Sequence, residues 1–190
     1  MGKSNISKVK ILVDADVLIH LYKADRISIL NELYHGRVFM LDVVLEELKE
    51  NRTIREKLDS IFTFSGIKEL VFPTTSNPQL FQEFLSLKKV IQGDGERACL
   101  VYCKHNSEII ASSNTKDIKP YCEENNMAYL TTLDIFCVAI AKNIHTDTEV
   151  NLLIKKITAN RESHLCCGSI EEHRNKHFDS LKIHYWYLAV

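Results

Sequence analysis

The sequence predicts an α/β fold: a central, mostly parallel β-sheet flanked by helices, followed by a helical C-terminal extension. Short β-branched or otherwise apolar runs alternate along the chain with segments whose apolar residues recur at helical spacing. This alternation is typical of a parallel sheet with crossover helices. The composition also suits a packed core, because 45% of the 190 residues are hydrophobic and only 6 are glycine and 3 proline. Such a balance argues against disorder.

Predicted strands and helices alternate from residue 9 onwards. The first strand is a β-branched run that ends at Asp14, and Gly36 is expected to stop the second helix. The predicted strands cover 9–13, 37–41, 68–72, 108–111 and 127–130. The predicted helices cover 17–22, 27–34, 42–62, 79–91, 96–104, 117–125, 134–141 and 149–158. Strands are no longer predicted beyond residue 140, so we expect one domain over 1–140 and a helix-rich extension over 141–190.

Charge and cysteine content limit the classes of function. A net charge of −1 neither indicates nor excludes nucleic acid, so any phosphate contact must be local or use metal ions. The six cysteines include no Cys-x-x-Cys pair, and several lie in apolar stretches, which predicts small core residues in a reduced protein. The first ten residues lack the apolar core of a signal peptide, and no apolar run reaches the roughly 18 residues of a membrane span. These features predict a cytoplasmic protein.

Asp14 and Asp16 follow the first predicted strand, at the edge where open parallel sheets bind ligands. Asp14 closes an apolar strand, and this position favours a functional role over a structural one. Asp16 fits two interpretations equally well, since it could bind a metal or cap the helix that follows.

Helical phase separates Glu47 from its neighbour Glu46. At ~100° per residue, Glu47 projects between Val43 and Val44 inside the apolar arc of its helix, whereas Glu46 projects away from it. An acid on a buried helix face is costly unless it is paired or bound to a metal. Glu47 is therefore the candidate site residue, and Glu46 is expected to be solvated.

The same test selects Glu96 in a later helix. Cys99 and Cys103 flank it in projection, while Asp94 and Arg97 are expected on the polar side. An acid near a helix amino terminus is favourable to the helix dipole, but that interaction does not require the side chain to point inward. Glu96 is therefore the third candidate acid.

The loop after the fourth predicted strand contains the remaining candidates. Asp117 could bind a metal, or it could cap the following helix. Ser113 and Lys116 could contact phosphate, although neither residue alone indicates it. Inward acids on several elements have one economical explanation, because clustered carboxylates repel one another unless cations neutralise them, and Mg²⁺ takes carboxylate oxygens as ligands. Such an ion also promotes displacement at phosphorus.

Four segments, in order, resemble the motifs of PIN-domain nucleases, and the resemblance spans residues 9–135. They are ILVDADVLI at 11–19, VVLEEL at 43–48, GDGERA at 93–98 and IIASSNTKDI at 109–118. The resemblance implies a PIN-like parallel sheet, Mg²⁺ or Mn²⁺ as cofactor, and cleavage of single-stranded RNA by activated water. Many bacterial members are toxins held by a small antitoxin, so the expected partners are an RNA substrate and an antitoxin protein.

The resemblance also implies the roles of individual residues. It makes Asp14, Glu47, Glu96 and Asp117 the catalytic residues, and the same four with Asp16 and Asn114 the metal ligands. The fourth motif departs from the family, since Asn114 stands where an acid is common and Asp117 follows three residues later. Asparagine can bind a metal through its carbonyl oxygen but supplies no charge. Metal affinity and the number of ions bound are therefore left open.

Two other readings of the same residues remain. A degenerate PIN fold would bind RNA or a protein partner without cutting it, and Asn114 is its main support. A haloacid-dehalogenase-like phosphatase would use Asp14 as the nucleophile and Asp16 as the acid/base, since the first motif resembles that family too. Against the phosphatase, Gly93-Asp94 is followed by Ala98 where a second acid should stand.

The C-terminal extension is rich in histidine and cysteine. His173 and His177 have the i, i+4 spacing that can chelate a metal on a helix. Cys166 and Cys167 are adjacent, however, which suits structural zinc poorly, so the sequence favours a polar helical face. Trp186, with its tyrosine neighbours, could belong to the core or to a homodimer surface.

Overall fold

A computed structural model describes residues 9–159 and 163–176 of the chain. Within them lies a five-stranded sheet of order β3-β2-β1-β4-β5, in which every pairing is parallel. The strands are β1 (Ile11–Val13), β2 (Val38–Leu41), β3 (Lys68–Leu70), β4 (Ile109–Ala111) and β5 (Tyr129–Leu130). The predicted α/β fold with a central parallel sheet is confirmed. His177 and Trp186, for which functions were considered above, lie outside the described residues.

Helices flank this sheet. They are α1 (Ala15–Lys23), α2 (Ile29–Tyr34), α3 (Asp42–Glu50), α4 (Arg52–Arg55), α5 (Leu58–Ser65), α6 (Pro78–Ser86), α7 (Asp94–Asn106), α8 (Thr115–Glu124), α9 (Thr132–Ala141) and α10 (Asp147–Thr158). A 3₁₀ turn (Leu87–Lys89) follows α6, and residues 170–176 are also helical. None of the helices within the described ranges has the length and apolar character that crossing a membrane requires.

The predicted helix over 42–62 is three helices in the structure. Asn51 leaves the helical conformation at the end of α3, with φ −78° and ψ 106°, and its side chain accepts a hydrogen bond from the Ile54 backbone N–H at 3.2 Å. A side chain of this type offers the backbone an alternative to continuing the helix, and here it starts α4. Gly66, at φ 66°, ends α5 in the left-handed conformation that glycine adopts without strain.

The last four helices, α7 to α10, each begin two residues earlier than predicted. Asp94 starts α7, so Gly95 lies inside the helix and does not break it. Asn114 precedes the first residue of α8, which puts Asp117 in the first turn and not at the cap. Thr131 and Asp134 form a reciprocal capping box at the start of α9.

The core surrounds β1, the central strand. Ile11, Leu12 and Val13 are fully buried, because β1 is paired on both edges and covered on both faces. Helix α10 lies against α1, and Ile154 and Ile170 are buried in the same core. The predicted boundary at residue 140 stays a prediction.

The strand order reverses between β1 and β4. The chain moves outward through β2 and β3 on one side of β1, and through β4 and β5 on the other. In open parallel sheets the loops diverge at such a reversal and ligands bind beyond the carboxyl ends of the two central strands, and we call this edge beside β1 and β4 the crevice. Asp14 follows β1 and Ser112 follows β4, so both lie at this crevice.

Candidate functional site

Asp14 and Asp16 are anchored at the crevice by backbone hydrogen bonds. Asp14 caps α1, accepts from the Ala15 N–H at 2.9 Å and is 6% exposed. Asp16 accepts from the Val17 N–H at 2.6 Å and, through its other oxygen, from the Ser113 N–H at 2.7 Å. Asp16 therefore ties the loop after β1 to the loop after β4. Asp16 was expected either to cap α1 or to bind a metal, and the residue at the cap position of α1 is Asp14.

Glu47 enters the site through a close approach of α3 to α7. Its Oε1 accepts a hydrogen bond from the Gly95 N–H at 2.8 Å. A Cβ atom at position 95 would lie 2.6 Å from the Glu47 Oε2 and 3.0 Å from the Val44 Cγ2, so glycine leaves room for the Glu47 carboxylate against α7. Glu47 is half-buried and Glu46 is exposed, as helical phase predicts.

Glu96 is the most enclosed acid on α7. It is 6% exposed, and its Oε2 accepts from the Asn114 Nδ2 at 3.2 Å, while its Oε1 lies 3.5 Å from the Ser112 Oγ. Its neighbour Arg97 was expected on the polar side, and this expectation is wrong. Arg97 is 2% exposed because its guanidinium donates to the carbonyls of Ile91 and Gln92 and pairs with Asp94.

Asn114 bridges two acids. Its Nδ2 donates to the Glu96 Oε2 at 3.2 Å and to the Asp117 Oδ2 at 2.8 Å. Although Asn114 occupies the cap position of α8, its side chain makes no capping hydrogen bond. The amide instead offsets part of the repulsion between Glu96 and Asp117, and Asp117 lies at the more open rim of the cluster.

The pKa values of the buried acids are raised above their usual range. Burial, and then the charges of Asp16 and Glu96, hold the pKa of Asp14 well above its usual range. Burial, followed by the charges of Asp117 and Asp16, raises the pKa of Glu96 to about 8. Burial also raises the pKa of Asp16 to about 6, although hydrogen bonds from the backbone of Ser113 and Val17 oppose the shift.

A neutral polar network supports the far side of the crevice. The Ser113 Oγ lies 2.8 Å from the Thr132 Oγ1, which in turn is 3.0 Å from the His20 Nδ1. Burial, with a smaller contribution from the charge of Lys23, lowers the pKa of His20 to about 4, so the ring is neutral. Ser113 is thus held by Asp16 and Thr132, and its hydroxyl is already engaged within the protein.

The donor set suits a hard divalent cation. Carboxylates of Asp14, Asp16, Glu96 and Glu47 lie close enough that the last three raise the pKa of Asp14, and oxygen ligands are those that Mg²⁺ prefers. Among the described residues, no three acids have oxygens that all lie within 4.8 Å of one another. Mg²⁺ usually keeps several waters and is bound by one or two carboxylates.

Two features of the site were missed in the sequence. The predicted helices over 79–91 and 96–104 left Gly95 in the break between them, whereas Gly95 lies in α7 and is the contact point for Glu47. Ser112, not selected at all, lies 3.5 Å from oxygens of both Asp16 and Glu96. Ser112 could have been selected from the sequence, because it is a small residue directly after a buried strand. Neither a model of a known protein family nor a curated protein sequence matches this chain.

The raised pKa of Glu96 predicts that the metal-free protein loses stability as pH rises from 4.5 to about 8. The unfolded chain releases this proton near 4.5, while the folded protein keeps it until about 8, so folding is opposed increasingly over this window. Asp14 and Asp16 act in the same direction. Thermal unfolding followed by circular dichroism measures the fall, at ~2–4 °C per kcal/mol for a chain of this size.

Glu96→Gln should flatten this dependence and raise the melting temperature at pH 8 without metal. Glu46→Gln is the matched control, because Glu46 is exposed on α3 and should leave the slope unchanged. A wild-type melting temperature that does not fall between pH 5 and pH 8 would contradict the assignment of Glu96 as a buried, repelled acid.

Proposed function

We propose that this protein is a Mg²⁺- or Mn²⁺-dependent nuclease of the PIN-domain type that cleaves single-stranded RNA, acting in the cytoplasm. The observation that carries the proposal is the juxtaposition of Asp14 and Glu96. These two carboxylates come from different elements, are each 6% exposed with raised pKa values, and lie close enough at the crevice for the charge of Glu96 to raise the pKa of Asp14. Such desolvation and repulsion are costly in the absence of a cation, and perturbed carboxylates in a cleft are typical of functional sites.

Each acid has a distinct part in this proposal. A bound Mg²⁺ would lower the pKa of water and offset the charge that develops on the phosphate. Asp14 and Glu96 would hold that ion, and Asp16 would hold the β4 loop in place through the Ser113 N–H at 2.7 Å. Glu47, anchored by the Gly95 N–H at 2.8 Å, would supply a further carboxylate from α3. Asp117, at the rim, lies where substrate phosphate could approach.

A second candidate rests on Asn114. Its amide already bridges Glu96 and Asp117, so part of the repulsion that a metal would relieve is relieved by the protein itself. This arrangement favours a degenerate PIN fold that binds RNA or a protein partner without cleaving it. The phosphatase reading is weaker, because both oxygens of Asp16 accept backbone N–H bonds and a proton donor would need one of them.

Purified protein should cleave single-stranded RNA when Mg²⁺ or Mn²⁺ is present and stop when a chelator is added. Asp14→Asn should lower the rate by about 10²–10³, the range typical for removing one electrostatic group at a phosphoryl or acyl centre. Glu47→Gln should also be strongly impaired, whereas Glu46→Gln, on the same helix but exposed, should cleave at the wild-type rate. Cleavage that survives both chelation and Asp14→Asn would refute the proposal.

Substitutions in the fourth motif separate the two candidates. Asn114→Asp adds a charged ligand and should lower the Mg²⁺ concentration needed for half-maximal cleavage. Asp117→Asn removes one and should raise it about 10- to 100-fold, the cost typical of losing a supporting group at a metal site. These values come from titrating activity against Mg²⁺. If wild type is inactive and Asn114→Asp gains cleavage, the degenerate reading is correct; if Asp117→Asn is silent, Asp117 does not serve the site.

A further inference from the structure

A cluster of cysteine and histidine lies apart from the acids, in the segment after α10. The ligand atoms of Cys166, Cys167 and His173 all lie within 4.8 Å of one another. Cys167 and His173 are 4% and 1% exposed, while Cys166 is open to solvent. Sequence analysis favoured a polar helical face here, because adjacent cysteines suit structural zinc poorly. The structure places His173 in the interior, so that interpretation does not hold for it.

His173 is oriented by a carboxylate on the opposite side of its ring. Its Nε2 lies 2.8 Å from the Asp134 Oδ1, and its Nδ1 lies 3.8 Å from the Cys166 Sγ. When Nε2–H donates to Asp134, the lone pair of Nδ1 points at the thiols. Carboxylate–histidine pairs of this kind fix the tautomer and ring orientation of histidines that bind metals.

Asp134 is itself held rigidly. Its second oxygen accepts from the backbone N–H and the hydroxyl of Thr131, both at 2.8 Å, in the capping box of α9. The oxygen that contacts His173 is therefore fixed by the fold of the main domain. A histidine in the later segment is aligned by an element that precedes it by 39 residues.

We infer that Cys166, Cys167 and His173 form a binding site for a thiophilic divalent ion of the zinc type. Two sulfurs and one imidazole nitrogen are ligands that such ions prefer, and three protein ligands leave one tetrahedral position for water on the exposed side of Cys166. Binding breaks two S–H bonds, forms two metal–sulfur bonds and releases two protons to solvent, with no change of oxidation state. The crevice at Asp14 offers oxygen ligands and no sulfur, so it would compete weakly for this ion.

The site would join the last described segment to the main domain. Asp134 belongs to α9. The first residue of α9 is Thr132, and its hydroxyl lies 2.8 Å from the Ser113 Oγ. Lys23 adds a second link, because its Nζ donates to the Ser163 Oγ at 2.7 Å. A metal at this cluster should therefore stabilise the native protein, since an ion that binds only the folded state shifts unfolding by mass action.

Co²⁺ is the probe that distinguishes this site from the acidic crevice. Reduced, metal-free protein should take up one equivalent of Co²⁺ with thiolate-to-cobalt charge-transfer bands in the near ultraviolet and intense visible bands of a tetrahedral ion. Added Zn²⁺ should remove these bands and raise the melting temperature. Carboxylates give no such charge-transfer bands, so Asp14→Asn should keep them at full strength whether or not the protein is a nuclease.

Cys166→Ser is the main variant, because the exposed side chain can be replaced without disturbing the core. It should weaken Co²⁺ binding by at least about tenfold, since loss of a ligand costs more than loss of a supporting group. His164→Ala is the matched control, an exposed residue outside the cluster, and should bind as wild type does. His173→Gln removes the nitrogen ligand and should likewise weaken Co²⁺ binding, although both thiolates remain.

Two results would overturn the inference: wild-type protein without charge-transfer bands, or bands that Cys166→Ser leaves unchanged. If circular dichroism shows that Cys166→Ser has not folded, alkylation of wild-type protein decides instead. Zn²⁺ should protect Cys166 from iodoacetamide, as judged by mass spectrometry of the modified peptide. Alkylation at the same rate with and without Zn²⁺ would also refute the site.

Discussion

The repulsion between buried carboxylates at the carboxyl ends of the central strands is the constraint on which the rest of this structure depends. Asp14 and Glu96 are almost fully removed from water; the charge of Glu96 helps to raise the pKa of Asp14, and the charges of Asp117 and Asp16 help to raise the pKa of Glu96. A protein that needed only a stable fold would gain by replacing them with apolar residues, because an uncompensated buried charge is costly. The surrounding structure tolerates the cluster of acids by supplying backbone N–H donors, from Ala15 to Asp14, from Ser113 to Asp16 and from Gly95 to Glu47.

The fold makes that arrangement inevitable once the acids are in the sequence. A parallel sheet brings the carboxyl ends of its strands to the same edge, and the strand order reverses beside β1, where open sheets bind ligands. Asp14, at the end of the most deeply buried strand, has little freedom to turn outward. Glu47 and Glu96 reach the same edge from α3 and α7, and glycine at position 95 leaves room for the Glu47 carboxylate between these helices.

Much of this could be predicted from the sequence, because it depends on local periodicity. Helical phase separated Glu47 from Glu46, and strand composition located β1 and the acid that follows it. The failures come from contacts between distant residues. Arg97 was assigned to the polar side because local phase cannot reveal the carbonyls of Ile91 and Gln92 that its guanidinium meets. The pairing of His173 with Asp134 across 39 residues was hidden for the same reason.

The central claim is that Asp14 and Glu96 are held together in order to bind a divalent cation. A crystal of the protein grown with Mn²⁺, with diffraction recorded at a wavelength where manganese scatters anomalously, tests it most directly. The account predicts an anomalous peak at the crevice, within bonding distance of oxygens of both Asp14 and Glu96. The contradicting result is a structure in which both carboxylates are ordered, Mn²⁺ is bound only at surface acids, and no anomalous peak lies between Asp14 and Glu96.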